Sequence, residues 1–532
     1  MTSVTVPESR VPGGAPAPFP LRVAAIDVGS NGIRFVVAEF SGPADYVLLA
    51  NDRIPIRLGH AVFRTGELEA GGMDRAIEAF VGFRARLDEL GVRHVRAVAT
   101  SAVRESRNGP AFVRRVWDAS GIEIGLISGS EEARLVWRAV RERVDYGSQK
   151  WMLVDLGGGS VEVSLVDRAG IMWTESHTMG SVRLLEELAG ADDAPGHFAG
   201  LLAEYAATLR IPAAAKHWTP VEVIATGGNV EALALLAAGL GEDDPVPDEV
   251  LAITRVELGS MIERLSGLSY EQRVRDLGLR EDRADVILPA AIVYDRVAEL
   301  AGADRITVPR AGVKEGVLFD LVDELTGEGG LGRRERTVLE GALTLGRRYL
   351  FDEEHARQVS MLALSLFDQL QALHGLAADD RCILLAGALL HDIGQHISYR
   401  KHHKHSLYLI LHSEIPGISP TELPLVALVA RYHRRVEPSP EHFLFVDLDP
   451  ADRERVVRIS ALLRVADSLD REHLQRVESV DATLSDGELV LRIAGEGPLL
   501  LEQWALEQKG KMFGRVFGTV PRVALGQVAT AG

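Results

Sequence analysis

The stretch Leu21–Phe40, LRVAAIDVGSNGIRFVVAEF, reads as strand, tight turn, strand. Apolar runs flank Gly29-Ser30-Asn31-Gly32, a turn composition. Trp151–Val166, WMLVDLGGGSVEVSLV, repeats the design: an apolar run reaching an aspartate, a glycine turn, a second run. Two copies of one supersecondary unit point to a duplicated domain, because internal similarity reports repeated architecture. Around the copies, Val95–Thr100 and Val221–Thr226 read as strands. Glu131–Val144 has helical spacing after Ser128-Gly129-Ser130, and another helix starts near Val230. This alternation favours α/β layers.

Farther out, the composition shifts at Thr326–Arg336, TGEGGLGRRER, which reads as a linker. Beyond it Val359, Leu362, Ala363, Leu366, Phe367 and Leu370 mark one helical face. From Val477 the pattern alternates around Asp486-Gly487 as in a hairpin, and an amphipathic helix follows near Leu499–Phe513. The expected division is a disordered leader over 1–20, one α/β domain over 21–145 and a second over 146–325. A helical domain over 326–476 and a small α+β domain over 477–532 complete it. A chain of 532 residues accommodates that number.

Hydrophobic residues at 46% and charged residues at 25% fit a globular protein, and no apolar run approaches the roughly 20 residues of a membrane span. The Pro-, Gly- and Ala-rich first twenty residues lack the apolar core of a signal peptide. The single cysteine, Cys382, excludes an internal disulfide framework and fits a reducing, cytoplasmic setting. A net charge of −18 argues against nucleic acid as a partner, and it requires any polyanionic ligand to find a local basic patch.

A glycine turn lets backbone N–H groups converge on phosphate oxygens without Cβ obstruction. An aspartate ending the preceding strand suits a hard cation, Mg2+ or Mn2+, and Asp27 and Asp155 hold that position. Gly29, Ser30, Asn31 and Gly32 form one expected phosphate grip, and Gly157, Gly158, Gly159 and Ser160 the other. Arg104 and Arg107 offer bidentate phosphate contacts or, equally, a solvated basic turn. Glu131 reads first as the reciprocal partner of Ser128 in a capping box.

These segments resemble the exopolyphosphatase / guanosine pentaphosphate phosphohydrolase family, within the actin / sugar kinase / Hsp70 superfamily of duplicated ribonuclease-H-like folds. The resemblance rests on AAIDVGSNGIR (Ala24–Arg34), ATSAVRESRNG (Ala99–Gly109), ISGSEEARL (Ile127–Leu135), VDLGGGSVEVSLV (Val154–Val166), ATGGNVEALA (Ala225–Ala234) and RAGVKEGVL (Arg310–Leu318). It covers nearly the whole chain. The chain departs from the pattern at Gly32, at Val161 and at Lys314, which touches fine substrate contacts and leaves the core segments intact. The resemblance implies release of orthophosphate from inorganic polyphosphate, guanosine pentaphosphate or both, and a homodimer. It places the general base on Glu132, with Glu162 supporting the metal or the water. Gly227 and Gly228 match a nucleoside-contact position of the superfamily's kinases.

The helical part carries His355, His391-Asp392 and Asp467 in an order that resembles the HD metal-dependent phosphohydrolases. A His/Asp set of this kind suits a second divalent metal, with His402, His403, His405 and His433 as further donors. A rival reading therefore centres a phosphodiesterase there, with the N-terminal half regulatory. Others are a non-enzymatic polyphosphate or alarmone sensor and a kinase-like relative. The same region is basic. Arg400, Lys401, Lys404, Arg431, Arg434 and Arg435 form the polyanion patch expected to serve a long substrate, which in the family lies in a channel between the α/β and helical domains.

Overall fold

The computed structural model describes residues 19–147, 149–188, 197–211, 222–241, 250–326, 332–485, 488–495 and 499–525. The expected leader, apart from its last two residues, the centre of the expected linker and the Asp486-Gly487 turn lie outside them. The chain divides into two compact units, Met1–Arg333 and Arg334–Gly532.

In the first unit, β1 (Leu21–Gly29), β2 (Gly32–Phe40) and β3 (Tyr46–Ile54) form an antiparallel meander. β4 (His94–Ala99) adds parallel to β1 and β5 (Ile124–Leu126) parallel to β4, giving the order β3-β2-β1-β4-β5. The second sheet repeats the plan. β6 (Trp151–Leu156), β7 (Val161–Asp167) and β8 (Gly170–His177) form the meander. β9 (Glu222–Thr226) and β11 (Arg305–Val308) continue it in parallel, and β10 (Leu251–Thr254) is an added antiparallel edge. The sequence duplication is thus a duplication of the ribonuclease-H-like sheet order. Val23 to Val28 of β1 are all buried, as are all six residues of β6, because each central strand is covered on both faces.

Three helices matter for the cleft. α1 (Gly129–Val140) starts from Ser128, whose hydroxyl accepts the Glu131 N–H. α2 (Gly228–Ala237) follows β9, and α3 (Val313–Thr326) follows β11. Arg134 of α1 donates to Asp320 of α3 at 3.1 Å, so buried ion pairs fix these two helices together.

The second unit packs α4 (Glu353–Gln369), α5 (Asp380–Leu390), α6 (His402–Leu411), α7 (Leu423–Tyr432) and α8 (Pro450–Ser468) around one core. β12 (Val477–Ser485) and β13 (Glu488–Gly495) pair antiparallel, β14 (Pro521–Leu525) adds parallel, and α9 (Leu500–Phe517) packs with them. Leu489, Leu491, Met512 and Phe513 join the same buried cluster as the preceding helices. No helix among the described residues is long and apolar enough to cross a membrane.

One buried group of this unit gives it an acid limit. His374 is fully buried; its Nε2–H donates to Phe367 O at 2.8 Å and its Nδ1 accepts the Leu376 N–H at 3.0 Å. Both nitrogens are committed to the neutral ring, and burial lowers the pKa below the ordinary 6.5. The unfolded chain therefore takes up a proton near pH 6.5 that the folded unit refuses until a lower pH. The stability is complete above 6.5 and is lost as pH falls below it. His374→Gln keeps a donor and an acceptor but does not titrate. Between pH 7 and 5 it should flatten the fall in urea-unfolding stability by up to about 1.4 kcal/mol per pH unit. An unchanged slope would remove His374 as a source of acid sensitivity.

Candidate active site

Both glycine turns open on one cleft of about 410 Å³ in the first unit. β1 brings Asp27, the β1–β2 turn brings Gly29–Gly32, β6 brings Asp155, and the following turn brings Gly157 and Gly158. A Cβ on Gly158 would lie 2.8 Å from Ser30 Cβ, so only glycine lets the two turns approach this closely. Gly227 and Gly228 line the cleft as well.

The sheet register sets what faces each aspartate. Asp27 pairs across the ladder with Arg34, and Asp155 pairs with Glu162. The duplication therefore sets a cation beside one aspartate and a further carboxylate beside the other. Arg34 Nη1 lies 3.5 Å from Asp27 Oδ2, and Thr226 Oγ1 donates to Asp155 Oδ1 at 2.6 Å.

Glu131 and Glu132 have different fates. Glu131 is held by Arg134 through contacts of 2.7 and 2.9 Å, whereas Glu132 lines the cleft. Glu132, Asp155 and Glu162 each offer an oxygen within 4.8 Å of the others. Glu162 reaches this position because α1 starts with Gly129, where a Cβ would lie 2.6 Å from Ser176 Cβ and 3.2 Å from Glu162 Oε1. Ser176 Oγ donates to Glu162 Oε1 at 2.7 Å. The Oε2 atoms of Glu132 and Glu162 are buried and lack a hydrogen-bond partner among the described residues.

Carboxylates packed in this way hold protons tightly. Burial, and then the charges of Glu162, Asp155 and Asp27, raise the Glu132 pKa well above the usual carboxylate range. Burial and the Asp155 charge push Glu162 up to about 7, against the hydroxyls of Ser176 and Ser160. Burial also raises Asp27 and Asp155; Arg34 opposes it at both, and Thr226 opposes it at Asp155.

The remaining expected phosphate contacts are distributed unevenly. Arg104 Nη1 is held by Ile127 O at 2.6 Å, yet its charge lowers the pKa of both Glu132 and Glu162. Arg107 turns away to Glu67 at 3.0 Å. The Asn31 side chain is tied to Asp282 O at 2.9 Å. Gly159 and Ser160 are buried, and Gly159 O accepts from Arg183 Nε at 2.7 Å. Sequence reasoning missed Arg34, Arg53, Arg280 and Arg283 as lining residues, and Thr226 and Ser176 as supports. Arg34 was recoverable, since a tight Gly29–Gly32 turn fixes it opposite Asp27. The others come from elements remote in sequence and carry no local motif.

In the second unit, His355 of α4, His391 and Asp392 just after α5, and Asp467 of α8 converge. His355 Nε2 is 3.3 Å from His391 Nε2, and each lies 3.9 Å from Asp467 Oδ1. Burial lowers the pKa of His391; burial acts the same way at His355, but the Asp470 hydrogen bond and the charges of Asp467 and Asp392 outweigh it and raise that pKa. Arg400, Lys401, Lys404 and Arg435 are exposed and make no ion pair among the described residues, so this patch is uncompensated. Arg434 is half-buried, with Nη1 at 3.2 Å from His402 Nε2.

Residues 36–325 match the Ppx/GppA phosphatase family, and residues 334–509 match Ppx/GppA phosphatase, domain III. The guanosine-5'-triphosphate,3'-diphosphate pyrophosphatase of Photobacterium profundum is 26% identical over 460 residues, covering 83% of this chain and 86% of the relative. An exopolyphosphatase from Cytophaga hutchinsonii ATCC 33406 is 26% identical, with a TM-score of 0.53 over 57% of this chain and 98% of that one. The Ppx/GppA family member of Aquifex aeolicus is 25% identical, with a TM-score of 0.50 over 58% of this chain and 99% of that one.

Proposed function

This chain belongs to the Ppx/GppA phosphatase family, and from that premise we propose that its cleft hydrolyses the terminal phosphoanhydride bond of inorganic polyphosphate or guanosine pentaphosphate, releasing orthophosphate. The observation that carries the assignment is the convergence of Glu132, Asp155 and Glu162 beside two facing glycine turns.

The family depends on a divalent metal, and the residues present fit one. The carboxylate oxygens are hard donors, and two of them are buried without a partner among the described residues. Asp155 and Glu162, with Asp27 nearby, would hold Mg2+ or Mn2+. A divalent ion there supplies charge stabilisation to the phosphoryl oxygens. Glu132 takes the proton of the attacking water, whose oxygen forms the new bond to the terminal phosphorus. The bond to the bridging oxygen breaks, and the shortened chain leaves with that oxygen. A base with raised proton affinity is suited to this work near neutral pH. The Ser176 hydroxyl fixes the Glu162 carboxylate by donating to its Oε1, and Thr226 does the same for Asp155. The glycine turns, with Arg34, Arg283 and Lys314 on the cleft wall, orient the terminal phosphates.

Arg400, Lys401, Lys404, Arg434 and Arg435 serve the outlying charge of a long substrate. The test is phosphate release from long-chain polyphosphate and from guanosine pentaphosphate side by side, with and without divalent metal. Replacing Lys401, Lys404 and Arg435 by Ala should raise KM for the long chain about threefold or more. It should also weaken the salt dependence of KM and leave the short substrate nearly unaffected. Equal losses on both substrates would remove the patch from long-chain binding, and no release from either would overturn the assignment.

A further inference from the structure

The first phosphate turn, Gly29–Gly32, is tied to more than its own two strands. We propose that Arg53 is a positioning residue for the hydrolysis: it fastens this turn to Asp282, in the half of the unit built on the second sheet, and so sets where the gripped phosphate lies relative to Asp155 and Glu162. The role presupposes hydrolysis in this cleft.

The sheet register delivers Arg53 to the turn. Asp27 pairs with Arg34 across β1 and β2, and Arg34 pairs with Arg53 across β2 and β3. Directly paired residues share a face, and all three line the cleft. Arg53 ends the row on an edge strand, where it is free to reach the other half. Its Nη2 donates to Asn31 O at 3.1 Å within the turn, and the same atom binds Asp282 Oδ2. Asn31 Nδ2 completes the link by donating to Asp282 O at 2.9 Å. The turn therefore meets both the side chain and the backbone of one residue from the opposite half.

Gly32 makes room for the guanidinium. A Cβ there would lie 3.2 Å from Arg53 Nη2 and 3.3 Å from Arg53 Cζ, tighter than side chains normally pack. Gly32 is also a position where the chain departs from the family pattern, and the space a side chain would contest is taken by Arg53.

Asp282 faces both halves. Its Oδ2 takes Arg53, and its Oδ1 lies 3.5 Å from Arg280 Nε. Burial lowers the Arg53 pKa, Asp282 opposes this, and the charges of Arg280 and Arg34 add to it. One carboxylate thus lets three guanidiniums crowd a single wall. Nearby, Arg57 binds Asp285 through both oxygens at 2.7 and 2.9 Å. That pair joins the same two segments but makes no hydrogen bond to the turn among the described residues, so it serves as a control.

The rate of an in-line displacement depends on alignment, and a misplacement of about 1 Å costs up to about 10²-fold. Arg53→Met and Asp282→Asn, singly and together, should be compared with the unaltered chain in phosphate release at saturating divalent metal. Each single variant should lower kcat about tenfold with KM changed less than about threefold. The double variant should also lose about tenfold, because both changes cut one link. Arg57→Met should stay within about threefold of the unaltered kcat. A loss of about 100-fold in the double variant would make the two residues independent. A KM that falls in Asp282→Asn and rises in Arg53→Met would make Arg53 a direct phosphate ligand that Asp282 restrains. An equal loss in Arg57→Met would make the contact a general strap, and a lowered Tm with unchanged kcat a merely structural one. Each of these overturns the positioning role. Spin labels at Val81→Cys and Val256→Cys, exposed positions on the two halves, read the link without turnover in a Cys382→Ala background. The distance distribution should widen in Asp282→Asn. No phosphate release from the unaltered chain, with widening in the variant, overturns the hydrolysis and leaves the link standing. Normal release from the unaltered chain, with no widening and no loss of kcat in the variant, overturns the link alone.

Discussion

Glu132→Gln should lower kcat for phosphate release by at least about 10²-fold while KM changes little, the pattern of a lost general base. The substitution is nearly isosteric, so the cleft keeps its shape. It removes the one carboxylate of the Glu131-Glu132 pair that lines the cleft, whereas Glu131 is committed to Arg134. Glu132 also belongs to the three-carboxylate group, so the variant affects metal as well as proton. A titration with divalent metal separates these roles. If the lost role is proton transfer, kcat stays low at saturating metal. If saturating metal restores kcat, Glu132 holds the ion and the base lies elsewhere. Near-normal turnover throughout would remove Glu132 from both roles. Glu162→Gln is the companion measurement. Glu162 is fixed by Ser176 and faces Asp155 across the ladder, so its loss should move the metal titration more than the plateau.

The parts of the molecule that were legible in the sequence are those where local chemistry and global position coincide. The two glycine turns need their composition locally, because Ser30 and Gly158 meet across the cleft. That necessity is written at both sites, and with it came the duplication and the paired aspartates. Glu132 was less legible. Its segment caps a helix whatever else it does, and Ser128 does accept the Glu131 N–H. Only the resemblance separated the structural glutamate from the one in the cleft. Arg53, Arg280 and Arg283 were not legible at all, because an isolated arginine has no pattern until folding brings β3 and the segment around residues 280–283 to one wall. The helical unit shows the same limit. His391-Asp392 stands out as a dipeptide, but Asp470, Gln395 and Lys509 orient the cluster from positions whose side chains look like ordinary surface polar residues.

Asp155→Asn should shift the metal requirement more than any other single change at the two turns. Asp155 belongs to the three-carboxylate group, and its Oδ1 already accepts the Thr226 hydroxyl at 2.6 Å. An amide there loses the negative charge. It also presents either its N–H2 or its oxygen to Thr226, so one group of the cluster is set against the ion. The expected result is a rise of at least about tenfold in the metal concentration for half-maximal activity, with a plateau lowered by about 10²-fold. Asp27→Asn is the control that gives the result its meaning. Asp27 is the equivalent residue of the first half, but it faces Arg34 and lies outside the three-carboxylate group. Its loss leaves Arg34 without that partner and should act chiefly on phosphate binding, raising KM with a smaller shift in the metal titration. If the two variants shift the titration equally, the ion is shared by both aspartates across the facing turns. If Asp155→Asn keeps a normal titration, the ion is held without it, and the asymmetry that duplication introduced between Arg34 and Glu162 does not decide where the metal binds.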